Sequence, residues 1–131
     1  MTKNEIIAYV RGRAGTDAPL ILGFIQTESS FRPGAFANDK NGGSYGLMQL
    51  NLVTAEDRGF KGTAPDLYDE VTNIGLGMAQ VQWIRDTLAK HEIFELESVI
   101  AAYNEGVGAV LEGRPDPTYV NRVLTAMKDF A

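Results

Sequence analysis

The segment Leu20-Ile21-Leu22-Gly23-Phe24-Ile25-Gln26-Thr27-Glu28-Ser29-Ser30-Phe31-Arg32-Pro33 runs from a nearly unbroken apolar stretch straight into a carboxylate. At helical spacing Ile21, Phe24, Ile25 and Glu28 share one face. The spacing predicts a buried helix with Glu28 at its C-terminal end, pointing the way its core residues point. An apolar wall and the negative end of the helix dipole both disfavour ionisation there. A carboxylic acid held partly protonated near neutral pH is what a general acid needs. Taken alone, the segment fits a plainer alternative at least as well: a last-turn glutamate facing solvent.

Working outward, Thr2 and Glu5 have the spacing of a capping box. They predict a first helix with Ile6, Tyr9, Val10 and Arg13 or Ala14 on one face, closed by Gly12 and Gly15. Asp17 with Pro19 reads as the start of the buried helix. Ser30 to Ser44 reads as loop, rich in turn formers, with Asn38-Asp39-Lys40-Asn41-Gly42-Gly43-Ser44 its most polar part. A short helix is expected from Leu52 to Asp57, ended by Gly59, and Gly62 to Leu67 reads as loop. Asp69 is placed to cap a long helix reaching about Lys90, with Val71, Ile74, Met78, Val81, Ile84 or Arg85, and Leu88 as its core stripe. Gly75 and Gly77 weaken that helix but permit a neighbour to pack closely. Trp83 lies off the stripe, as a second packing face or a sugar-stacking surface. Leu96, Val99, Ile100 and Tyr103 mark another helix ending near Asn104. Val107, Val110 and Leu111 suggest a short one. Tyr119, Val120, Val123, Leu124, Met127 and Phe130 form the last amphipathic face.

No segment alternates as a half-buried strand does. The expectation is an all-α domain over residues 1–131, with six or seven helices of unequal length and a loop-rich cleft region between Ser30 and Leu67.

Composition narrows the function. The chain has 131 residues, no cysteine and one histidine, which excludes a disulfide framework, a thiolate metal site and a multi-histidine zinc site. His91, between Lys90 and Glu92, reads as an exposed helix end. A net charge of −5 argues against nucleic acid as a partner. No apolar run is long enough to span a membrane, and the first eleven residues lack the core of a signal peptide. No cofactor is expected.

Four separated pieces resemble one family. Glu28-Ser29-Ser30-Phe31-Arg32-Pro33 resembles the Glu-Ser-x-Phe-x-Pro signature of the soluble lytic transglycosylase domain, in glycoside hydrolase family 23. Gly46-Leu47-Met48-Gln49-Leu50 matches its Gly-Leu-Met-Gln-hydrophobic motif. Asp69 to Gly75 resembles its Asp-Pro-x-x-Asn-Ile-x-x-Gly segment, with Glu70 where proline is usual. Ala101-Ala102-Tyr103-Asn104-Glu105-Gly106 resembles its Ala-Tyr-Asn-x-Gly motif, and Tyr119-Val120 fits the Tyr-Val pair of its last helix.

The resemblance implies a lysozyme-like helical domain that cleaves the β-1,4 bond between N-acetylmuramic acid and N-acetylglucosamine in peptidoglycan. It implies Glu28 as the sole acid/base, first protonating the glycosidic oxygen and then taking the proton of the muramoyl 6-hydroxyl. That hydroxyl closes on the anomeric carbon and leaves a 1,6-anhydro sugar. By the same resemblance Gln49 binds the sugar or its acetamido group and Met48 lines the cleft. Tyr103 donates a hydrogen bond near Glu28 and holds the reacting sugar. Asn104 fixes loop or substrate, and Ser29 supports polar contacts beside the acid.

One departure bears on mechanism. Glu28 and Gly46 are 18 positions apart, longer than in typical bacterial members, and the extra length falls in the polar loop around Asp39. That loop is similar to one in goose-type lysozymes, which use an aspartate there to position water. Asp39 is the candidate for that role in a hydrolytic alternative, and otherwise a turn former holding its own loop. A non-catalytic glycan-binding domain, or a structural wall protein that keeps the fold, is a further reading, but a mere binder has no need of a proton donor. The expected partner is the glycan strand, met by a monomer. The expected setting is a protein made in the cytoplasm that acts on the wall as a phage-type lysin, released by a holin or injected, or as a piece of a larger wall-remodelling protein.

Overall fold

The computed structural model describes residues 1–39 and 42–131, so the expected loop at Lys40 and Asn41 lies outside the described residues. Among the described residues the chain forms seven α-helices, three short 3-10 turns and one two-stranded hairpin. The first helix, α1 (Lys3–Ala14), begins with the Thr2–Glu5 capping box that its sequence predicts, and it buries Ile6 and Val10.

Helix α2 (Ala18–Ser29) is the centre of the core. Ala18, Leu20, Ile21, Leu22, Gly23, Phe24 and Ile25 are all buried, so it is covered on nearly every side. Pro19 sits in its first turn, but Asp17 makes no capping bond. The Asp17 carboxylate instead takes a two-pronged ion pair from Arg85, tying the start of α2 to a distant helix. Arg85 therefore leaves the core stripe of its own helix.

The region read as continuous loop holds more order than expected. Phe36–Ala37 (β1) and Ser44–Tyr45 (β2) pair antiparallel, with Phe36 opposite Tyr45 and Ala37 opposite Ser44. Two residues per strand are too few to show alternation in sequence. After the hairpin, Tyr45 and Leu50 exchange backbone bonds of 2.9 and 3.1 Å, closing Gly46–Gln49 into a tight turn. Helix α3 (Leu52–Asp57) follows under an Asn51 cap. Ala64–Tyr68 is a 3-10 turn rather than loop, opened by a Thr63–Asp66 capping box.

Helix α4 (Glu70–Ala89) starts at the Asp69 cap, whose carboxylate accepts from the Thr72 backbone N–H at 3.0 Å. Its buried stripe is Asn73, Ile74, Gly77, Val81, Ile84 and Leu88. Val71 is exposed and Met78 only partly covered, which corrects the expected face. The stripe is centred on Gly77, where Met48 packs so closely that any Cβ would collide with its sulfur. Trp83 lies off the buried stripe and is exposed, with the Arg58 guanidinium 4.7 Å over its ring. Helices α5 (Leu96–Glu105), α6 (Val107–Leu111) and α7 (Pro117–Met127) fall where the apolar spacing puts them, and His91 is exposed just after α4. Helix α7 lies along α2 and buries Tyr119, Val120 and Val123.

Candidate functional site

Glu28 occupies the last turn of α2. The chain then turns sharply, because Ser30 and Phe31 both adopt positive φ, 52° and 63°. That conformation is costly for residues other than glycine, on the order of 1 kcal/mol each. Burial of Phe31 holds it: its ring lies 5.7 Å from that of Phe130, and Lys3 sits over it at 5.0 Å. The Arg32 backbone N–H and Nε both donate to the Ser29 carbonyl, at 3.1 and 3.0 Å, and brace the turn from outside. The carboxyl of Glu28 is thereby fixed at the mouth of a cleft while its helix stays in the core.

Glu28, Asp39, Gln49, Tyr103 and Asn104 line one cleft of about 290 Å³, with Ser44, Asn51, Thr54 and Gln80 completing its polar wall. Five of the seven expected site residues are thus brought together from α2, the hairpin loop, the Gly46–Gln49 turn and α5. Two are not. Ser29 is buried, and its hydroxyl donates to the Ile25 carbonyl at 3.0 Å, a bond back along its own helix. Met48 is fully buried against Gly77 and lines no part of the cleft. The contribution of Met48 is its backbone, whose N–H donates to Asn73 and whose carbonyl accepts from Tyr103.

The hydrogen-bond partner of Glu28 comes from α7. The Tyr103 hydroxyl donates to the Met48 carbonyl at 2.7 Å, and its ring stacks on Phe24 with centroids 4.2 Å apart. Tyr119 of α7 makes the bond to Glu28, its hydroxyl donating to Oε2 at 2.5 Å. The Tyr-Val pair flagged the position of Tyr119, but a tyrosine on an apolar helical stripe reads as core. Only the packing of α7 on α2 shows that its hydroxyl reaches the carboxyl.

The electrostatics follow from these contacts. Burial raises the Glu28 pKa above the ordinary glutamate range, while the Tyr119 hydrogen bond and the positive charge of Arg122 pull it back part of the way. Burial and the adjacent Glu28 charge push both tyrosines up, so each stays a neutral hydrogen-bond donor.

Gln49 is strained and pinned. Its φ is +51°, and its amide donates to the carbonyls of Ala35 and Gly46 at 3.1 and 2.9 Å. With both amide hydrogens engaged, its side-chain oxygen is the group left to accept from a ligand. Asp39 accepts from the Ser44 hydroxyl and, at 3.2 Å, from the Gly43 backbone N–H, so the ends of the polar loop are gathered around its carboxylate. Asn73, unrecognised in the sequence as more than a motif residue, is the scaffold beneath the site. It is fully buried, donates to the carbonyls of Tyr45 and Leu67, and accepts from the Met48 N–H, each at 2.8 Å.

Residues 5–115 match the family model described as the transglycosylase SLT domain. Among curated proteins, the chain is 34% identical over 147 aligned positions to a membrane-bound lytic murein transglycosylase C of Histophilus somni, covering 93% of this chain and 39% of that one. It is 41% identical over 112 positions to the protein of the same name in Haemophilus influenzae strain PittGG, covering 76% of this chain and 30% of that one. The chain thus spans about two fifths or less of the length of these relatives. Among solved structures, an inactive mutant of the lytic transglycosylase Slt from Pseudomonas aeruginosa superposes with a TM-score of 0.76 at 22% identity, over 99% of this chain and 24% of that one. The 70 kDa soluble lytic transglycosylase of Escherichia coli gives 0.65 at 19% identity, over 98% of this chain and 22% of that one. At such identities these two are likenesses of fold.

Proposed function

The chain belongs to the transglycosylase SLT domain family, and from that premise we propose that it cleaves peptidoglycan between N-acetylmuramic acid and N-acetylglucosamine, with Glu28 as the only acid/base. The observation that carries this reading is the Glu28 carboxyl itself: mostly buried, raised in pKa, bonded to a neutral tyrosine, and facing a polar cleft.

Protonated Glu28 gives its proton to the glycosidic oxygen as the bond from that oxygen to the muramoyl anomeric carbon breaks. The N-acetylglucosamine part leaves with a free 4-hydroxyl. The substrate's acetamido oxygen shares the positive charge, and no enzymic nucleophile is required. Glu28, now a carboxylate and still bonded to Tyr119, takes the proton from the muramoyl 6-hydroxyl. That oxygen bonds to the anomeric carbon, and the acid is restored. The pinned oxygen of Gln49 is suited to accept an acetamido N–H, and Asn104 stands at the cleft wall beside Tyr103.

The products test this. Muropeptides released by the wild type should be 1,6-anhydro species, each lighter by one water than the hydrolysis product, from the first minutes by mass spectrometry. Asp39 favours a second reading, because it lines the same cleft as Glu28. If Asp39 positions water, the wild type yields reducing ends and Asp39→Asn is dead. In the transglycosylase reading Asp39→Asn keeps most of its turnover.

Tyr119→Phe gives a distinct signature. The rate should fall roughly tenfold to a hundredfold, because a hydrogen bond to a charged group is worth about 1.5–3 kcal/mol and this one holds the carboxylate between the two steps. The bond also lowers the Glu28 pKa, so its loss raises that pKa further and moves the alkaline limb of the rate profile to higher pH. A profile unchanged in both height and position would remove Tyr119 from the mechanism.

The setting we propose is the wall, as an endolysin-type activity. No described helix is long and apolar enough to cross a membrane.

A further inference from the structure

Glu28 stands between two recesses. Beside the polar cleft lies a second one of about 690 Å³, lined by Glu28, Arg32, Gly34, Ala35, Phe36, Ala37 and Gln49, so the two share Glu28, Ala37 and Gln49. The wall of the second recess carries Phe36, a large aromatic side chain left 50% exposed.

Its exposure is not looseness. The Phe36 ring packs against Tyr45 at 5.2 Å, and Tyr45 against Tyr68 at 5.5 Å. Gly43 packs beside the same pair, where a Cβ would sit 2.6 Å from the Phe36 ring and 3.3 Å from the Tyr45 hydroxyl. Gly43 has φ +120°, which disfavours any other residue, so the close approach is built into the hairpin. The ring is fixed by these contacts and still offers open surface to the recess.

We propose that Phe36 is a stacking platform for an N-acetylhexosamine ring of the glycan strand, on the side of Glu28 away from the polar cleft. This rests on the reading of Glu28 as the acid of a glycan-cleaving enzyme. The chemistry selects a sugar over a protein surface. A protein partner needs a broad apolar patch. Here a single ring is bounded by polar groups: the Arg32 guanidinium, oriented by its bond to the Ser29 carbonyl, and the pinned amide of Gln49. A pyranose has the matching character, an apolar face of C–H groups edged by hydroxyl and acetamido groups. A strand held on both sides of Glu28 has its scissile bond at the carboxyl, so Phe36 contributes to the register of cleavage.

The test uses the full chain with Glu28→Gln, which binds without cutting, and soluble glycan strands freed of peptide stems. Phe36→Ala in that background should weaken binding roughly tenfold. Phe36→Trp should restore it, since the ring face returns. Phe36→Leu keeps an apolar contact with Gly43 and Tyr45 but removes the ring, and it should bind as weakly as the alanine variant with an unchanged melting temperature. In the active enzyme Phe36→Ala should raise KM far more than it lowers kcat. Equal binding by the leucine variant and its parent would overturn the platform and leave the role of Glu28 standing. Absence of both binding by Glu28→Gln and cleavage by the wild type would overturn the platform together with the function it rests on.

Discussion

Glu28→Gln is expected to lower the rate of wall lysis by at least about a hundredfold to ten-thousandfold while leaving the fold intact. That range is typical for loss of one acid/base group, and here one group serves both half-steps. Glutamine keeps the size of the side chain, and its oxygen still accepts from the Tyr119 hydroxyl, so the contact between α2 and α7 survives. It cannot give up a proton or reclaim one. The variant should also differ in stability in a direction fixed by the pKa. The folded-state pKa of Glu28 is raised above its unfolded value. Its contribution to stability is therefore complete below the unfolded pKa and is lost as pH rises through the folded one. Glutamine does not titrate, so Glu28→Gln should gain in melting temperature relative to the wild type on going from acid to neutral pH. Near wild-type turnover with unchanged circular dichroism would remove Glu28 from the chemistry. A melting-temperature difference that stays flat with pH would contradict the buried, raised carboxyl.

The central helix and its carboxylate were legible because local sequence decides them: an apolar run, an acid at its end, then a turn. Capping chemistry made the starts of α1 and α4 equally legible, through Thr2–Glu5 and Asp69. What escaped depends on contacts between distant segments. The periodicity of α4 offered Val71 as a core position, but the approach of Met48 at Gly77 sets which side is buried. The resemblance implied that Tyr103 donates a hydrogen bond near Glu28. The Met48 carbonyl claims the Tyr103 hydroxyl, and Tyr119, 91 positions from Glu28, takes the place beside the acid. The hairpin was invisible because two-residue strands carry no alternation, and with it went the exposed ring of Phe36. Most of the motif residues meet at one cleft; whether each one turns its side chain or its backbone towards it was decided by tertiary packing.

Asn73 should prove the residue on which both the fold and the cleft depend most. Its amide satisfies two carbonyls, those of Tyr45 and Leu67, and its oxygen takes the Met48 N–H, all at 2.8 Å and with the side chain fully buried. These bonds join α4 to the hairpin, to the 3-10 turn before α4, and to the turn that presents Gln49. Packing is equally tight, since a Cβ on Gly46 would lie 2.5 Å from the Asn73 nitrogen and 2.8 Å from the Leu67 carbonyl. Water therefore has little room to replace the lost amide unless the segment moves. Each buried group left without a partner costs about 1–3 kcal/mol. Asn73→Ala is accordingly expected to lower unfolding stability by about 3–5 kcal/mol, among the large values seen for single substitutions. Asn73→Asp should rescue little, because an ionised carboxylate keeps the acceptor for Met48 but offers no donor to the two carbonyls and buries a charge. Urea unfolding of the three proteins measures this directly, and a loss below about 1 kcal/mol for Asn73→Ala would show that the segment relaxes to satisfy itself. Under conditions where the variant remains folded, glycan binding should weaken as well. The Met48 carbonyl that holds Tyr103 and the backbone that holds Gln49 share the turn Asn73 anchors, so the cleft wall loosens on two sides from one substitution.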